Sequence, residues 1–270
     1  MIHPTAVVHP KAQIGEHAEI GPFCVVGGGV RIGSRTKLLS HVVVNGHTTI
    51  GEDSLIYPFC SIGLPSQDRK YRGELSYVTI GDRTTLREYV SINRATGEGE
   101  VTAVGNDALL LAYVHVAHNC RVGDHVTMSN TAQLAGHVVI EDYATVGGMT
   151  GVHQFVRIGA HAMVGGVTAL ARDAPPYFLV SGNPAQPHGL NSVGLQRAGF
   201  TAATIAELKE CYKLLYRSGH NVTQAIEAMR AMVRSAEAQH LIEFVETQSD
   251  RGIVKRAPRA LVSAESREGA

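Results

Sequence analysis

An aliphatic residue recurs at every sixth position over the first 170 residues of this chain. Counting by six from Ile2 to Leu170 visits 29 positions, and 26 of them carry Ile, Leu, Val or Met; the exceptions are Asp68, Glu74 and Glu98. A period of six fits neither an amphipathic helix nor a simple alternating strand. It indicates a solenoid, in which each short unit buries one apolar side chain against the units above and below.

Two further positions of the six-residue unit are restricted. The residue after the aliphatic one is often Gly, as at Gly15 and Gly33, and the fourth residue after it is small or β-branched, as at Ala18 and Thr36. We expect a short strand that points two side chains inward and then a tight turn, whose backbone angles Gly tolerates. Three units make a triangular coil, and coils stack about 4.8 Å apart. The sequence therefore predicts an all-β fold of the parallel β-helix type.

Two stretches interrupt the repeat, near residues 63–77 and 94–103. Long excursions from a regular scaffold are usually functional or mobile. The pair Pro175-Pro176 predicts that the strand ladder ends near residues 173–177, and a connecting segment follows to about Leu190. We therefore expect a β-helix with two loop excursions over residues 1–190 and a small α-helical domain with a polar tail over residues 191–270.

Three helices are expected in the C-terminal part. Thr201 can cap the first, Thr223 can cap the second, and a third short helix is expected around Leu241 to Val245. Such a helical domain would also cover the last coil of the solenoid, whose open strand edge would otherwise invite aggregation.

Composition limits the classes of partner. Lys+Arg and Asp+Glu both number 24, so the formal charge is zero and a nucleic acid partner is not expected. We see no signal peptide and no stretch long enough to span a membrane, which predicts a cytoplasmic location. The cysteines have no metal-ligand spacing and are expected to be buried free thiols in a reducing compartment: Cys24, Cys60, Cys120 and Cys211.

Four histidines fall on one edge of the predicted prism. From Val104 onward the repeat is unbroken, so the residue number modulo 18 gives the position around the coil; His115, His118, His137 and His153 have close values. Gly136 lies one coil above His118 and would leave a backbone N–H open to a ligand. For any single histidine a structural or solvated role is the more common one. Together, an imidazole and a backbone donor suit acyl transfer, in which a base takes a proton and an oxyanion develops.

Several segments resemble one family closely, the UDP-N-acetylglucosamine O-acyltransferases of the hexapeptide-repeat class. The resemblance covers about residues 1–250 and rests on these segments: Gln67-Asp68-x-Lys70-Tyr71, Ala117-His118-Asn119-Cys120, Ala135-Gly136-His137, Gly147-Gly148-Met149-Thr150, Val152-His153-Gln154-Phe155, Pro175-Pro176-Tyr177 and Gly199-Phe200. It implies a left-handed β-helix and a homotrimer with active sites between neighbouring prisms. It also implies transfer of an (R)-3-hydroxyacyl chain from acyl carrier protein to the 3-hydroxyl of UDP-N-acetylglucosamine, the first step of lipid A biosynthesis, without a cofactor.

The resemblance also implies residue roles. His118 resembles the general base, and Gly136 resembles the oxyanion donor. Residues that hold or position the substrates are implied at Asp68, Lys70, His115, His137, His153 and Gln154. Acyl-chain length is implied to depend on Met163 and Gly166, where Gly suggests a long chain, and nucleotide and carrier contacts are implied at Asn191 and Arg197. The chain departs from the family at Val193, Ala198 and Asn119, where Glu, Arg and Asp are usual.

Three other uses of these residues were weighed: acylation of an amino sugar, a scaffold without activity and a zinc site. N-acylation of a 3-amino or 2-amino UDP-sugar would use the same mechanism; the 2-amino enzyme carries a domain ahead of its repeats, whereas here the repeat begins at Ile2. A non-catalytic scaffold would not depend on His118 or Lys70. A zinc site of the carbonic anhydrase type would need a histidine five residues after His137, where the chain has Asp142, so we expect no metal.

Overall fold

The computed structural model describes residues 1–247 and 249–256, and most of them wind into a parallel β-helix. Each coil contributes one strand to each of three sheets, and the register repeats every coil, as in the pairing of Val116 with Leu134 and of Leu134 with Val152. The first sheet contains Val7–Val8, Val25–Val26, Val43–Val44, Ser61–Leu64, Ser91–Asn93, His115–Val116, Gln133–Leu134, Gly151–Val152 and Ala169–Leu170.

The other two sheets follow the same order along the prism. The second sheet contains Gln13–Ile14, Arg31–Ile32, His47–Ile50, Tyr77–Ile80, Val101–Val104, Arg121–Val122, Val139–Ile140 and Arg157–Ile158. The third sheet contains Glu19–Ile20, Lys37–Leu38, Leu55–Ile56, Thr85–Leu86, Leu109–Leu110, Thr127–Met128, Thr145–Val146, Met163–Val164, Phe178–Ser181 and Gln186–Leu190.

The inside of the prism is a column of the aliphatic and small residues of the repeat. Ile56, Leu86 and Leu110 are fully buried, and so are Cys60 and Cys120 in the small-residue position. Burial raises the pKa of both thiols to about 12, so they stay protonated at neutral pH. The four cysteines are free and buried, as expected.

The role predicted for glycine in the turns is wrong. The left-handed backbone falls on the third residue after the aliphatic one, which is rarely Gly: φ is 61° at His17 and 60° at Arg35. Gly15 is needed for another reason, because a Cβ there would lie 2.6 Å from the backbone nitrogen of Ser34 in the next coil. Glycine therefore allows neighbouring coils to approach closely.

Both excursions leave the prism between a strand of the first sheet and a strand of the second, so they emerge on the same edge. They also contact each other. The Ser66 and Thr96 hydroxyls are 2.7 Å apart, the Asn93 amide donates to the Pro65 carbonyl at 2.8 Å, and Glu74 accepts from the Gly97 N–H at 2.8 Å. The two loops form one structure beside the coils.

The ladder does not end at the paired prolines, contrary to the prediction. Phe178–Ser181 pairs in parallel with Met163–Val164, and Gln186–Leu190 then pairs with it in antiparallel orientation. Pro175 and Pro176 lie between the bridge at Ala174 and the strand at Phe178, where no ladder hydrogen bond is required of their nitrogens.

Four helices follow: α1 (Ser192–Arg197), α2 (Ala202–Tyr216), α3 (Val222–Met232) and α4 (Ala236–Glu246). Thr201 caps α2 as predicted, but the N-cap of α3 is Asn221 and not Thr223. The short α1 was not expected, and α4 is longer than the predicted third helix. None of the helices described is long and apolar enough to cross a membrane.

Two polar contacts and a buried end segment join the helices to the prism. His240 of α4 lies 2.9 Å from the Tyr177 hydroxyl and 3.1 Å from the Glu141 carboxylate. Arg157 pairs with the buried Asp173 and donates to the Phe244 carbonyl at 3.1 Å. After α4, Val254 is buried against the last coil, and residues 257–270 of the expected polar tail lie outside the described part of the chain.

Candidate active site

The turns that join the first sheet to the second contain His118, His137 and His153, and His115 lies on the strand just before the turn of His118; we call this line of turns the histidine edge. A cavity of about 610 Å³ runs along it and over the outer face of the first sheet. It is lined by Gln67, His115, Ala117, His118, Gln133, Leu134, Ala135, Gly136, Gly151, Val152, His153, Ala169, Leu170 and Ala171.

His118 lies directly beneath Gly136. A Cβ on Gly136 would lie 2.5 Å from Nε2 of His118, so only glycine leaves room for the imidazole in this position. Within the described residues, no group accepts a hydrogen bond from the Gly136 N–H, which remains available to a ligand. An imidazole nitrogen and an open backbone donor therefore lie side by side in the cavity.

The hydrogen bonds of Asn119 determine the tautomer of His118. The Asn119 amide oxygen accepts from the Thr96 N–H at 2.9 Å, and the amide nitrogen donates to the Thr96 carbonyl at 3.1 Å. The oxygen therefore faces Nδ1 of His118, 3.0 Å away, and Nδ1 must carry the proton. Neutral His118 then has its lone pair on Nε2, which is the form a general base requires.

His115 and His137 flank His118, and both have lowered pKa values. Burial is the main cause at His115, whose Nδ1 lies 2.8 Å from the Ser91 hydroxyl, and the charge of His118 adds to it. At His137 burial again comes first and the charge of His118 second. The His137 ring is 5.2 Å from that of His118 and stacks on Phe155 at 4.8 Å. Both flanking histidines therefore favour the neutral form.

The first excursion brings its polar residues to the same edge. The charges of Asp68 and Lys70 act on the pKa of His137 in opposite directions, after burial and His118: Asp68 raises the pKa and Lys70 lowers it. Asp68 accepts from the Lys70 N–H at 2.9 Å, and neighbouring Gln67 lines the cavity. His153 lines the upper cavity wall, and Gln154 follows it on an exposed turn.

Four of the residues suggested by the sequence lie away from the histidine edge within one chain. Met163 belongs to the third sheet, and Gly166 lies in the turn from the third sheet to the first. Asn191 caps α1 and donates to the His161 carbonyl at 3.0 Å, in the turn from the second sheet to the third, and Arg197 ends the same helix. The predicted site residues thus lie on three different edges of the prism.

Sequence reasoning missed several residues of the cavity and its surroundings. The count by 18 residues that grouped the histidines would also have found three residues that follow His115 at steps of one coil on the first sheet: Gln133, Gly151 and Ala169. Gln67 and Thr96 lie on the excursions, where no period applies. No sequence signal places them beside His118.

The arrangement supplies an imidazole base and an anion-stabilising backbone donor. Within residues 1–247 and 249–256, no three His, Cys, Asp or Glu side chains are grouped so as to hold a metal ion. The chemistry that these groups can perform is removal of a proton from a hydroxyl or amine nucleophile, together with stabilisation of an oxyanion.

Comparison with known proteins points to one family. The family model described as Udp N-acetylglucosamine O-acyltransferase, Domain 2, matches residues 173–254. A relative from Gloeothece citriformis (strain PCC 7424), named acyl-[acyl-carrier-protein]--UDP-N-acetylglucosamine O-acyltransferase, is 46% identical over 217 residues, which cover 80% of this chain and 78% of the relative. A relative of the same name from Paraburkholderia phymatum is 46% identical over 195 residues, covering 70% of this chain and 74% of that one.

Solved structures agree over nearly the whole length. The UDP-N-acetylglucosamine acyltransferase of Francisella novicida is 39% identical, with a TM-score of 0.92, and the match covers 99% of this chain and 100% of that one. The UDP-N-acetylglucosamine O-acyltransferase of Moraxella catarrhalis is 41% identical, with a TM-score of 0.90 over 94% and 99% of the two chains. The predicted fold class, a left-handed parallel β-helix followed by a small helical domain, is confirmed.

Proposed function

Since the chain belongs to the UDP-N-acetylglucosamine O-acyltransferase family, we propose that it transfers an (R)-3-hydroxyacyl chain from acyl carrier protein to the 3-hydroxyl of UDP-N-acetylglucosamine. This acylation is the first step of lipid A biosynthesis. The observation that carries the proposal is the position of His118, with its lone pair on Nε2, against the open N–H of Gly136. A scaffold without activity would not need that juxtaposition.

The proposed reaction is a direct transfer. Nε2 of His118 takes the proton of the sugar 3-hydroxyl while the oxygen forms a bond to the thioester carbonyl carbon. The Gly136 N–H donates to the resulting oxyanion. The intermediate collapses, the carbon–sulfur bond breaks, and the thiolate recovers the proton from His118. Because the thioester is already activated, no covalent enzyme intermediate is required.

The surrounding residues would hold the two substrates. Asp68 and Lys70 follow Gln67, which lines the cavity, on the first excursion, and are proposed to contact the sugar and the incoming thioester. His115, His137, His153 and Gln154 border the same edge and are proposed to position the substrates. The neutral forms of His115 and His137 avoid further positive charge beside His118, which must itself become positive during the reaction.

We propose a homotrimer with active sites between chains. The residues proposed for acyl-chain length and for nucleotide and carrier contacts do not lie on the histidine edge, so a neighbouring copy would have to supply them. They are Met163 and Gly166 for chain length, and Asn191 and Arg197 for the nucleotide and the carrier. The turns from the third sheet to the first also carry a stack of exposed rings, with 4.8 Å between Tyr89 and Tyr113. Exposed apolar side chains of this kind favour an interface.

The test is analysis of the product by mass spectrometry. The protein is incubated with UDP-N-acetylglucosamine and a panel of 3-hydroxyacyl carrier proteins, in parallel with the 3-amino sugar nucleotide. We expect an O-acylated product with a long chain, and we expect His118→Ala to lower kcat by about 10²–10⁴-fold while the fold is retained. Turnover of His118→Ala within a few-fold of the parent would defeat the mechanism, and exclusive acylation of the amino sugar would change the acceptor.

Four buried, protonated thiols are compatible with action in the reducing cytoplasm.

A further inference from the structure

The short helix α1 is held in place by a small number of contacts. It has six residues, which is too few for a helix that is stable without the rest of the fold. Just before it, Asn191 donates from its backbone N–H to the Tyr177 carbonyl at 2.8 Å and from its side chain to the His161 carbonyl at 3.0 Å. Within the helix, Leu195 is buried. The position of α1 therefore depends on Tyr177 and His161.

Tyr177 contacts both ends of α1 and, at the same time, α4. Its side chain is buried, and its hydroxyl lies 2.9 Å from Nδ1 of His240 in α4. Its ring packs against Phe200, shortly after the end of α1, with 5.9 Å between the ring centroids. Phe200 also packs edge-on against His161 at 4.9 Å. The two ends of α1 are thus tied to the same tyrosine.

Four hydrogen bonds form a closed network through Tyr177, which we call the Tyr177 network. The Tyr177 N–H donates to the Ala160 carbonyl at 2.8 Å, and the Ala160 N–H donates to the Glu141 carboxylate at 2.8 Å. Nε2 of His240 lies 3.1 Å from the same carboxylate, and Nδ1 leads back to the Tyr177 hydroxyl. Because a carboxylate only accepts, Nε2 carries a proton, and Nδ1 of neutral His240 accepts from the hydroxyl. Each member is held from two sides.

The far end of α1 presents a cation that the fold itself does not use. Arg197 is exposed, and in the part of the chain that the structure describes it forms no ion pair. Arginine binds phosphate oxygens through hydrogen bonds of fixed geometry. A shift of α1 would therefore move the guanidinium away from an anionic ligand held by another part of the assembly.

We propose that Tyr177 and His240 are positioning residues for the sugar nucleotide: through the Tyr177 network they fix α1, and with it Asn191 and Arg197, against the substrate. This inference rests on the proposed function, in which α1 of one copy meets a sugar nucleotide bound at the histidine edge of its neighbour. Neither residue lies on that edge, so they act on substrate binding and not on the base or its donor.

The test separates binding from turnover. KM and kcat are measured for UDP-N-acetylglucosamine and for acyl carrier protein with the parent, Tyr177→Phe, His240→Gln and the double variant. We expect each single substitution to raise KM for the sugar nucleotide about fivefold, the effect of one hydrogen bond, with kcat unchanged. The double variant should show about the same rise, because either substitution already opens the network. Tyr177→Phe keeps the volume of the ring, and His240→Gln changes a different element.

Tyr212→Phe is the matched control. The Tyr212 hydroxyl belongs to the same apolar cluster and donates to the Pro187 carbonyl at 3.1 Å. Its acceptor lies in a strand that is held by pairing with Phe178–Ser181, so α1 does not depend on this bond. Tyr212→Phe should lower Tm about as much as Tyr177→Phe while leaving KM for both substrates unchanged. An equal rise in KM for Tyr212→Phe would show a general loss of stability and overturn the proposal.

The proposal also fails if both network variants keep the parent KM for the sugar nucleotide, if kcat falls instead, or if only KM for acyl carrier protein rises. Arg197→Ala separates this failure from that of the underlying assignment. If Arg197→Ala lowers kcat/KM for the sugar nucleotide and the network variants do not, only this inference is wrong. If Arg197→Ala has no effect, the nucleotide contact proposed for α1 is wrong as well. A parent protein that turns over no sugar nucleotide would overturn the proposed function itself, and this inference with it.

Discussion

At the scale of single residues, the site depends on the absence of one side chain and the orientation of another. Gly136 has no Cβ, and His118 occupies the space that a Cβ would take. The amide oxygen of Asn119 accepts from Nδ1 of His118. The backbone of Thr96 orients the amide, because its N–H can only donate and its carbonyl can only accept.

This orientation leads to a prediction for Asn119. Asn119→Ala removes the acceptor at Nδ1 and should lower kcat about ten- to a hundredfold with KM nearly unchanged, since groups that orient a functional imidazole typically contribute that much. Asn119→Asp keeps the acceptor and should retain more activity than the alanine variant. Steady-state kinetics with both substrates varied will check this. Equal kcat values for the parent and Asn119→Ala would show that the amide does not orient the base.

At the scale of elements, the three edges of the prism carry different side chains on the same backbone turn. The histidine edge carries the proposed base, His118, and the proposed oxyanion donor, Gly136. The edge from the third sheet to the first carries stacked aromatic rings, with Phe59 and Tyr89 4.9 Å apart. The edge from the second sheet to the third carries exposed ion pairs such as Arg35–Asp53 at 2.7 Å, which contribute little to stability at the surface. A uniform scaffold thus presents three separate chemical surfaces.

The capping of α3 can be tested with a matched pair of variants. Asn221 accepts from the Gln224 N–H at 2.9 Å, and Gln224 accepts in return from the Asn221 N–H at 3.1 Å. Asn221→Ala should lower the free energy of unfolding by about 1 kcal/mol. Thr223→Ala, two residues on inside the helix, should change it by less than about 0.5 kcal/mol. Urea denaturation of both variants measures the difference, and equal losses would rule out the cap.

The contact between α4 and the prism should depend on pH. A hydrogen bond with Glu141 raises the pKa of His240, with burial acting the other way and the charges of Glu141 and Glu243 adding to the rise. The folded-state pKa lies above the unfolded one, so the stabilisation is complete below about pH 6.5 and is lost as pH rises through the folded-state value. The Tyr177 hydroxyl, which faces the other ring nitrogen, has its pKa raised by burial and stays neutral in this range.

Thermal unfolding of the parent and of His240→Gln across a pH series measures this effect. The difference in Tm should be largest at about pH 5.5 and should shrink toward about pH 9. His115 and His137 have lowered pKa values, act in the opposite sense and are common to both proteins, so they cancel in the difference. The charge of His240 also contributes to the lowered pKa of His161, so the difference in Tm includes this smaller effect. A difference in Tm that does not change with pH would show that His240 carries no charge in the contact.

At the scale of the whole molecule, one chain contains every predicted site residue but does not assemble them. The proposed base and its proposed donor lie on the histidine edge, Gly166 lies on a second edge, and α1 lies against the third. A rigid prism cannot bend to bring its edges together. Rotational symmetry can, because it places one edge of each chain against another edge of its neighbour.

Complementation between inactive variants tests this assembly. His118→Ala and Arg197→Ala are each expected to lose activity. When the two are co-expressed as mixed trimers, about a quarter of the interfaces combine the intact half of each and should recover activity. The control is the same pair of proteins mixed after separate purification, without subunit exchange. If co-expression yields no more activity than the two variants separately, His118 and Arg197 do not share a site across chains.

The sequence alone determined the solenoid, because a period of six constrains where every inward side chain must lie. It also determined that His118 and Gly136 are neighbours, since one coil contains 18 residues and equal positions stack. The cap of α2 at Thr201 follows from a local hydrogen bond, which sequence patterns record well.

Tertiary structure decided what depends on contacts between distant segments. The repeat glycines are required because the backbone of the next coil lies close to them. The Asn119 amide is oriented by Thr96, on a loop that follows no period. The ladder continued past Pro175 and Pro176 because the prolines occupy a turn. Likewise, the cavity lined by Arg172, Lys255 and Arg256 exists only because the buried Val254 brings the end segment against the last coil. Periodic positions can be read from one chain by counting, whereas these contacts depend on the fold as a whole.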